Sequence, residues 1–138
     1  MRYLLDTNVL SSIVRNPYGP AARRFASTDT SALGTSIIAA AELRFGYTRV
    51  ASRRLERDVE AVLGVISIED WSAPADFAYA RIRTALERSG VSVGQNDMLI
   101  AAHAAALGTT LVSDDRIFAR ITQLKIENWL RDAPAGEG

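Results

Sequence analysis

The sequence has no cysteine and only one histidine, His103, among its 138 residues. Without cysteine there is no disulfide framework, no thiolate zinc site and no cysteine nucleophile. A single histidine excludes sites built on two or three imidazoles, paired-imidazole ribonuclease chemistry among them. Long apolar runs are also missing. The longest, Met98–Leu107, is interrupted by His103 and is far too short to cross a bilayer. The opening Met1-Arg2-Tyr3-Leu4-Leu5-Asp6 carries no apolar signal core, so a cytoplasmic protein is expected. Lysine is almost absent: Lys125 is the one lysine, and the other basic residues are arginine, which suits bidentate contact with phosphate. Sixteen basic and sixteen acidic residues cancel, so composition alone names neither a nucleic acid nor a membrane as partner. What the chain does have is 48% apolar residues, enough for the core of one domain. The surviving chemistry is that of carboxylates, the backbone or pure binding.

Short strand-like runs alternate with helical patterns along the chain. Arg2–Leu5, Leu33–Ser36, Val65–Ile68, Thr109–Val112 and Leu124–Glu127 read as strands, the last at an edge. Helices are expected from Val9 to Val14, stopped by Asn16-Pro17-Tyr18-Gly19-Pro20, and over Ala21–Ala26, Ile37–Tyr47, Ser52–Leu63, Ala73–Arg88 and Met98–Leu107. Asp115–Ile121 reads as a short helix. Strands separated by helices predict an α/β fold: a central parallel sheet of about five short strands with helices on both faces. Residues 1–131 form a single domain in this reading, and 132–138, rich in Ala, Gly and Pro, a flexible tail.

In such sheets, sites form beyond the carboxyl ends of the strands. Asp6 follows the first strand and Asp114-Asp115 follow the fourth; Asp97 opens a helix and Glu42 lies within one. Local roles compete for each. Asp6 can cap a helix, Asp97 can favour a helix dipole with Asn96 as the cap, and Asp114-Asp115 can make a turn. Glu42 sits among Ile38, Ala39, Ala41, Leu43 and Phe45, where a carboxylate is costly unless paired, with Arg44 for example, or bound to a cation. Converging carboxylates repel, and one takes up a proton unless a divalent ion neutralises them. Oxygen-only ligands favour Mg²⁺ or Mn²⁺, and such an ion activates water and stabilises the leaving oxygen of a phosphodiester. Thr7, Asn8, Ser113 and Asp114 stand beside these acids and can orient a carboxylate or a water. His103 lies about 240° around an ideal helix from Asp97 and reads as structural.

The motifs Tyr3-Leu4-Leu5-Asp6-Thr7-Asn8, Ala41-Glu42-Leu43-Arg44-Phe45-Gly46, Asn96-Asp97-Met98-Leu99-Ile100-Ala101-Ala102-His103 and Thr110-Leu111-Val112-Ser113-Asp114-Asp115 with Phe118, closing on Leu124-Lys125-Ile126-Glu127-Asn128-Trp129, resemble the PIN-domain toxins of VapC type. The resemblance spans nearly the whole chain, in order. It implies a Mg²⁺- or Mn²⁺-dependent endoribonuclease, the toxin of a toxin–antitoxin pair, with Asp6, Glu42, Asp97 and Asp115 as catalytic, metal-site acids. It also implies a homodimer and a cognate antitoxin, for which grooves near Val9, Ile13 and Phe45 are the expected seat. The pattern is most similar to the subgroup that cuts initiator tRNA in the anticodon loop. That subgroup often has a longer, Asn-containing segment where this chain has Ser113-Asp114-Asp115-Arg116-Ile117, so Asp114 can replace or assist Asp115. Arginines are expected to rim the acids for RNA, Arg15, Arg44 and Arg49 first, with Arg23, Arg24, Arg53 and Arg54. Two rivals are a noncatalytic RNA- or partner-binding PIN-like domain and a receiver-like phosphoacceptor. The latter needs an acidic pair after the first strand and a Lys after the last core strand, where this chain has Thr7-Asn8 and a late Lys125.

Overall fold

The computed structural model describes residues 1–130; Arg131 and the expected tail at 132–138 lie outside the described residues. Five strands, Tyr3–Leu5 (β1), Leu33–Ser36 (β2), Ser67–Glu69 (β3), Thr110–Val112 (β4) and Lys125–Glu127 (β5), form one sheet in the order β3-β2-β1-β4-β5. Every pairing is parallel. The six helices are Thr7–Arg15 (α1), Pro20–Ala26 (α2), Ile37–Val50 (α3), Arg53–Leu63 (α4), Ala75–Arg88 (α5) and Gln95–Leu107 (α6).

A parallel sheet needs cover on both faces, and alternation along β1 divides the core in two. Tyr3 and Leu5 face one layer, packed with Val9, Leu10 and Ile13 of α1, Ala40 and Leu43 of α3, and Val59 and Leu63 of α4. Leu4 and Leu111 face the other, packed with Ala78, Ile82 and Leu86 of α5 and with Met98, Ile100, Ala101 and Ala104 of α6. Helix α6 is buried over Met98, Ile100–Ala104, nearly all round, as its uniformly apolar sequence requires.

Most expected elements are found, with shifts of a few residues. The third strand begins at Ser67 rather than Val65, and α5 begins at Ala75, behind a cis Ala73–Pro74 peptide. Helix α3 runs past Tyr47 to Val50, because the Tyr47 hydroxyl and Arg44 both bond Glu60 on α4 and so hold its last turns. Asp115–Ile121 is a 3₁₀ turn over Arg116–Arg120, not an α-helix. Helix α6 starts earlier than expected, at Gln95, so its cap is Gly94 and not Asn96.

Candidate active site

Strand order reverses at β1, whose chain continues toward β2 on one side while β4 lies on the other. This switch point opens a crevice at the carboxyl ends of β1 and β4. Leu5 pairs with Val112, so Asp6 and Ser113 leave the sheet side by side. The Asp6 N–H donates to Val112 O at 3.1 Å, and the Ser113 N–H to Glu127 O at 2.9 Å.

Asp6 does two things at once. Its Oδ1 accepts the Val9 N–H at 2.9 Å and caps α1. It is also 7% exposed, so its charge is costly. Burial pushes its pKa from the ordinary 3.8 up to about 6, against the hydrogen bonds of Ser113 and Val9, and the negative charges of Asp114 and Asp97 add to the rise. Asp97, in the first turn of α6, is raised too, first by desolvation and then by Glu42, Asp115 and Asp114. Among the described residues, the charges that act on these two acids are themselves negative. Glu42, at the middle of α3, accepts the Thr7 hydroxyl at 2.7 Å. Asp115 caps the 3₁₀ turn through Ile117 N–H at 3.0 Å, and its own N–H donates to the buried Ser113 hydroxyl at 3.1 Å. Four distant parts of the chain thus place acids in one electrostatic neighbourhood. Asp114 is exposed and acts on both Asp6 and Asp97, so it belongs to the cluster alongside Asp115.

A recess of about 380 Å³ between Glu42 and Asp97 is lined also by Gly94, Gln95 and Asn96. Gln95 was not singled out by the sequence reading; its signal was its place on the turn that presents Asp97. Among the described residues no three acidic or histidine side chains close into a cage for an ion. The donor set is nonetheless all oxygen, and Mg²⁺, which keeps several waters, suits one or two direct carboxylates with the rest at one remove.

The arginine rim is only partly as expected. Arg44 forms a bidentate pair with Glu60 of α4, at 2.9 and 3.2 Å, and so clasps two helices. Arg49 lies over the Phe45 ring, and Arg24 over Trp129 while bonding Glu127. Arg23 donates to Tyr18 O. Arg15 and Arg54 share a recess with Val14, Leu55 and Asp58. Next to it a groove of about 190 Å³ runs past Val14, Arg15, Leu43 and Val59 to Thr7, Asn8 and Glu42. Val9 and Ile13 do not line it. They sit on the face of α1 turned to the sheet and are core residues, whereas Ser11 and Val14 face the groove. Phe45 is 64% exposed, as expected for an apolar surface residue.

Acids gathered at the switch point of a doubly covered parallel sheet define an α/β domain with a carboxylate site. The PIN domain profile matches residues 3–124, and the chain belongs to the PIN domain family. It is 37% identical over 134 residues to a Rickettsia felis protein named ribonuclease VapC2, covering 94% of this chain and 98% of that one. It is 33% identical over 133 residues to the tRNA(fMet)-specific endonuclease VapC of Salmonella typhimurium, covering 94% and 98%. Among solved structures, the Rickettsia felis VapBC2 complex bound to a promoter DNA fragment superposes with a TM-score of 0.82 at 33% identity, covering 94% of this chain and 99% of that one. No helix among the described residues is long and apolar enough to cross a membrane.

Proposed function

We propose that this protein is a divalent-metal-dependent endoribonuclease and the toxin of a toxin–antitoxin pair, acting in the cytoplasm on RNA. The observation that carries the reading is the convergence of Asp6, Glu42, Asp97 and Asp114-Asp115 at the switch point, with Asp6 and Asp97 both raised by burial and by their acidic neighbours. The names of the relatives, ribonuclease and tRNA(fMet)-specific endonuclease, support the same chemistry and make a tRNA the first substrate to try.

In this reading Asp6, Asp97, Glu42 and Asp115 are the residues that would hold Mg²⁺ or Mn²⁺. The ion supplies a more acidic water and neutralises charge developing on the phosphate. Thr7 fixes the Glu42 carboxylate through its hydroxyl, and Ser113 holds Asp6 on one side and the Asp115 backbone on the other. Arg15, on the groove that reaches Glu42, and Arg54, in the recess that shares Arg15 with it, are the cations that meet the RNA backbone. The same groove, polar at one end and apolar along its floor, receives the antitoxin, and a second copy of the chain pairs with this one.

Sequencing of new RNA 5′ ends after induced expression tests the reading. Discrete new ends bearing 5′-phosphate are expected, absent with Asp6→Asn. Purified protein that cuts equally well with EDTA and with Mn²⁺ would reject metal dependence. Protein that binds RNA but leaves every species intact with Mn²⁺ would favour a noncatalytic domain. Thr7→Val tests the placement of Glu42. Its loss of one hydrogen bond is expected to cost about 1 kcal/mol of stability. It is expected to lower kcat about tenfold, as loss of a group orienting a ligand commonly does, with KM little changed.

A further inference from the structure

His103 is 1% exposed and far from the solvent side of the cluster, yet it is the one polar side chain among the buried residues of α6. Its Nδ1 lies 2.8 Å from Ser36 Oγ. Ser36 is fully buried at the end of β2, and its hydroxyl accepts the Ile38 N–H at 3.1 Å to cap α3. The bond therefore joins α6 to the residue that caps α3. From Ser36 to Glu42 is six residues of α3, and from His103 back to Asp97 is six residues of α6, each about 9 Å at 1.5 Å per residue. The two acids at those far ends line one recess, and Glu42 raises Asp97 electrostatically. Strut and acids thus stand about 9 Å apart along the stretches of α3 and α6 that pack together. Trp71, whose indole donates to Leu99 O at 2.9 Å, ties the same stretch of α6 from the other direction. Burial holds His103 neutral by lowering its pKa, against the Asp70 backbone and the charges of Glu69 and Asp70. Its Nε2 makes no hydrogen bond of good geometry among the described residues, so Nδ1 is the working end of the ring.

We propose that His103 is a positioning residue: its bond to Ser36 sets the separation of Glu42 on α3 from Asp97 on α6, and so the fit of the acid cluster to a divalent ion. The proposal rests on the reading that these acids hold such an ion. It concerns a residue whose side-chain bond goes to Ser36 and not to an acid.

The test separates the ring from the bond. His103→Phe keeps the ring volume and removes the bond; His103→Asn keeps a polar atom near the Nδ1 position and loses the ring. Mn²⁺ affinity, measured by calorimetry well below each unfolding temperature, is expected to fall about tenfold in His103→Phe and to stay within about twofold of wild type in His103→Asn, although Asn loses more packing. Ser36→Gly, which retains an acceptable cap, breaks the bond from the other side. It is expected to match His103→Phe, and the two together to be no worse than either alone. Affinities that follow the loss of stability, or do not move, overturn the proposal. A crystal structure of His103→Phe gives a reading independent of metal: Glu42 and Asp97 are expected to stand at a changed separation, and an unchanged one overturns the strut. If the wild type binds no Mn²⁺, the metal reading fails, and this comparison alone decides the positioning role.

Discussion

Asp6→Asn is expected to abolish RNA cleavage and, in the absence of metal, to make the protein more stable. The two outcomes come from one carboxylate. In the folded state its pKa is about 6, against an ordinary 3.8, so the folded protein binds this proton more tightly than the unfolded chain does. The sign follows from linkage: stability from this group is greatest with the proton on, falls as pH rises from 3.8 through 6, and stays low at neutral pH. A difference of that size corresponds to about 3 kcal/mol. Asn removes the buried charge and keeps an oxygen to accept the Val9 N–H, so the cap survives; Asp6→Ala would lose both and confuse the result. Metal-free Asp6→Asn at pH 7 is therefore expected to melt several degrees above wild type, at about 4 °C per kcal/mol for a domain of this size. Near pH 4 the gap closes. Mg²⁺ or Mn²⁺ reverses the order, because binding to the folded state stabilises wild type and not the variant. Scanning calorimetry at pH 4 and 7, with EDTA and with Mn²⁺, checks all four corners. A variant less stable than wild type at pH 7 in EDTA would show that the Asp6 charge is compensated in the fold.

The second large effect concerns stability alone. Trp129→Ala is expected to cost about 3–5 kcal/mol, a large share of the 5–15 kcal/mol that holds a domain together. Trp129 is 2% exposed although it stands next to the end of the described chain. Its ring meets Tyr3 of β1 edge-on at 5.2 Å, and the Arg24 guanidinium of α2 covers it at 5.0 Å. Its indole N–H donates to Glu127, which also takes Arg24. The residue therefore fastens the last strand and the second helix to the first strand. Urea unfolding is the measurement: the midpoint should fall steeply while the slope, set by the surface exposed, stays the same. An unchanged midpoint would mean that the segment after β5 does not close the core.

Much of this was legible in the sequence, for reasons that particular residues make clear. Asp6 and Asp114-Asp115 follow apolar runs, and a residue that follows a strand in a parallel sheet arrives at its carboxyl edge whatever the rest of the chain does. Glu42 was legible from its misfit, a carboxylate amid apolar neighbours and at no cap. The partner choices were not legible, because they depend on packing between elements. Thr7 finds Glu42 across 35 positions, and Arg44 finds Glu60 on the following helix, a partner that its sequence neighbours do not announce. Val9 and Ile13 could be read as one apolar stripe, but not as the stripe facing the sheet. The start of α6 at Gln95 was missed because Gly94 caps it without a side chain, so the usual Asn signal points two residues too late.

The position of β1 at the centre of the sheet has a consequence for the order of events in synthesis. Leu5 pairs with Val112, which is made more than a hundred residues after it. Asp6 waits with it, and until β4 is inserted there is no crevice, no Ser113 beside Asp6 and no charge from Asp114 or Asp115. The long-range pairing that makes such a sheet slow to fold also delays its chemistry. Whatever the acids do, they begin to do it only once β4 and Asp114-Asp115 exist, and a copy that ends before β4 lacks the assembled site.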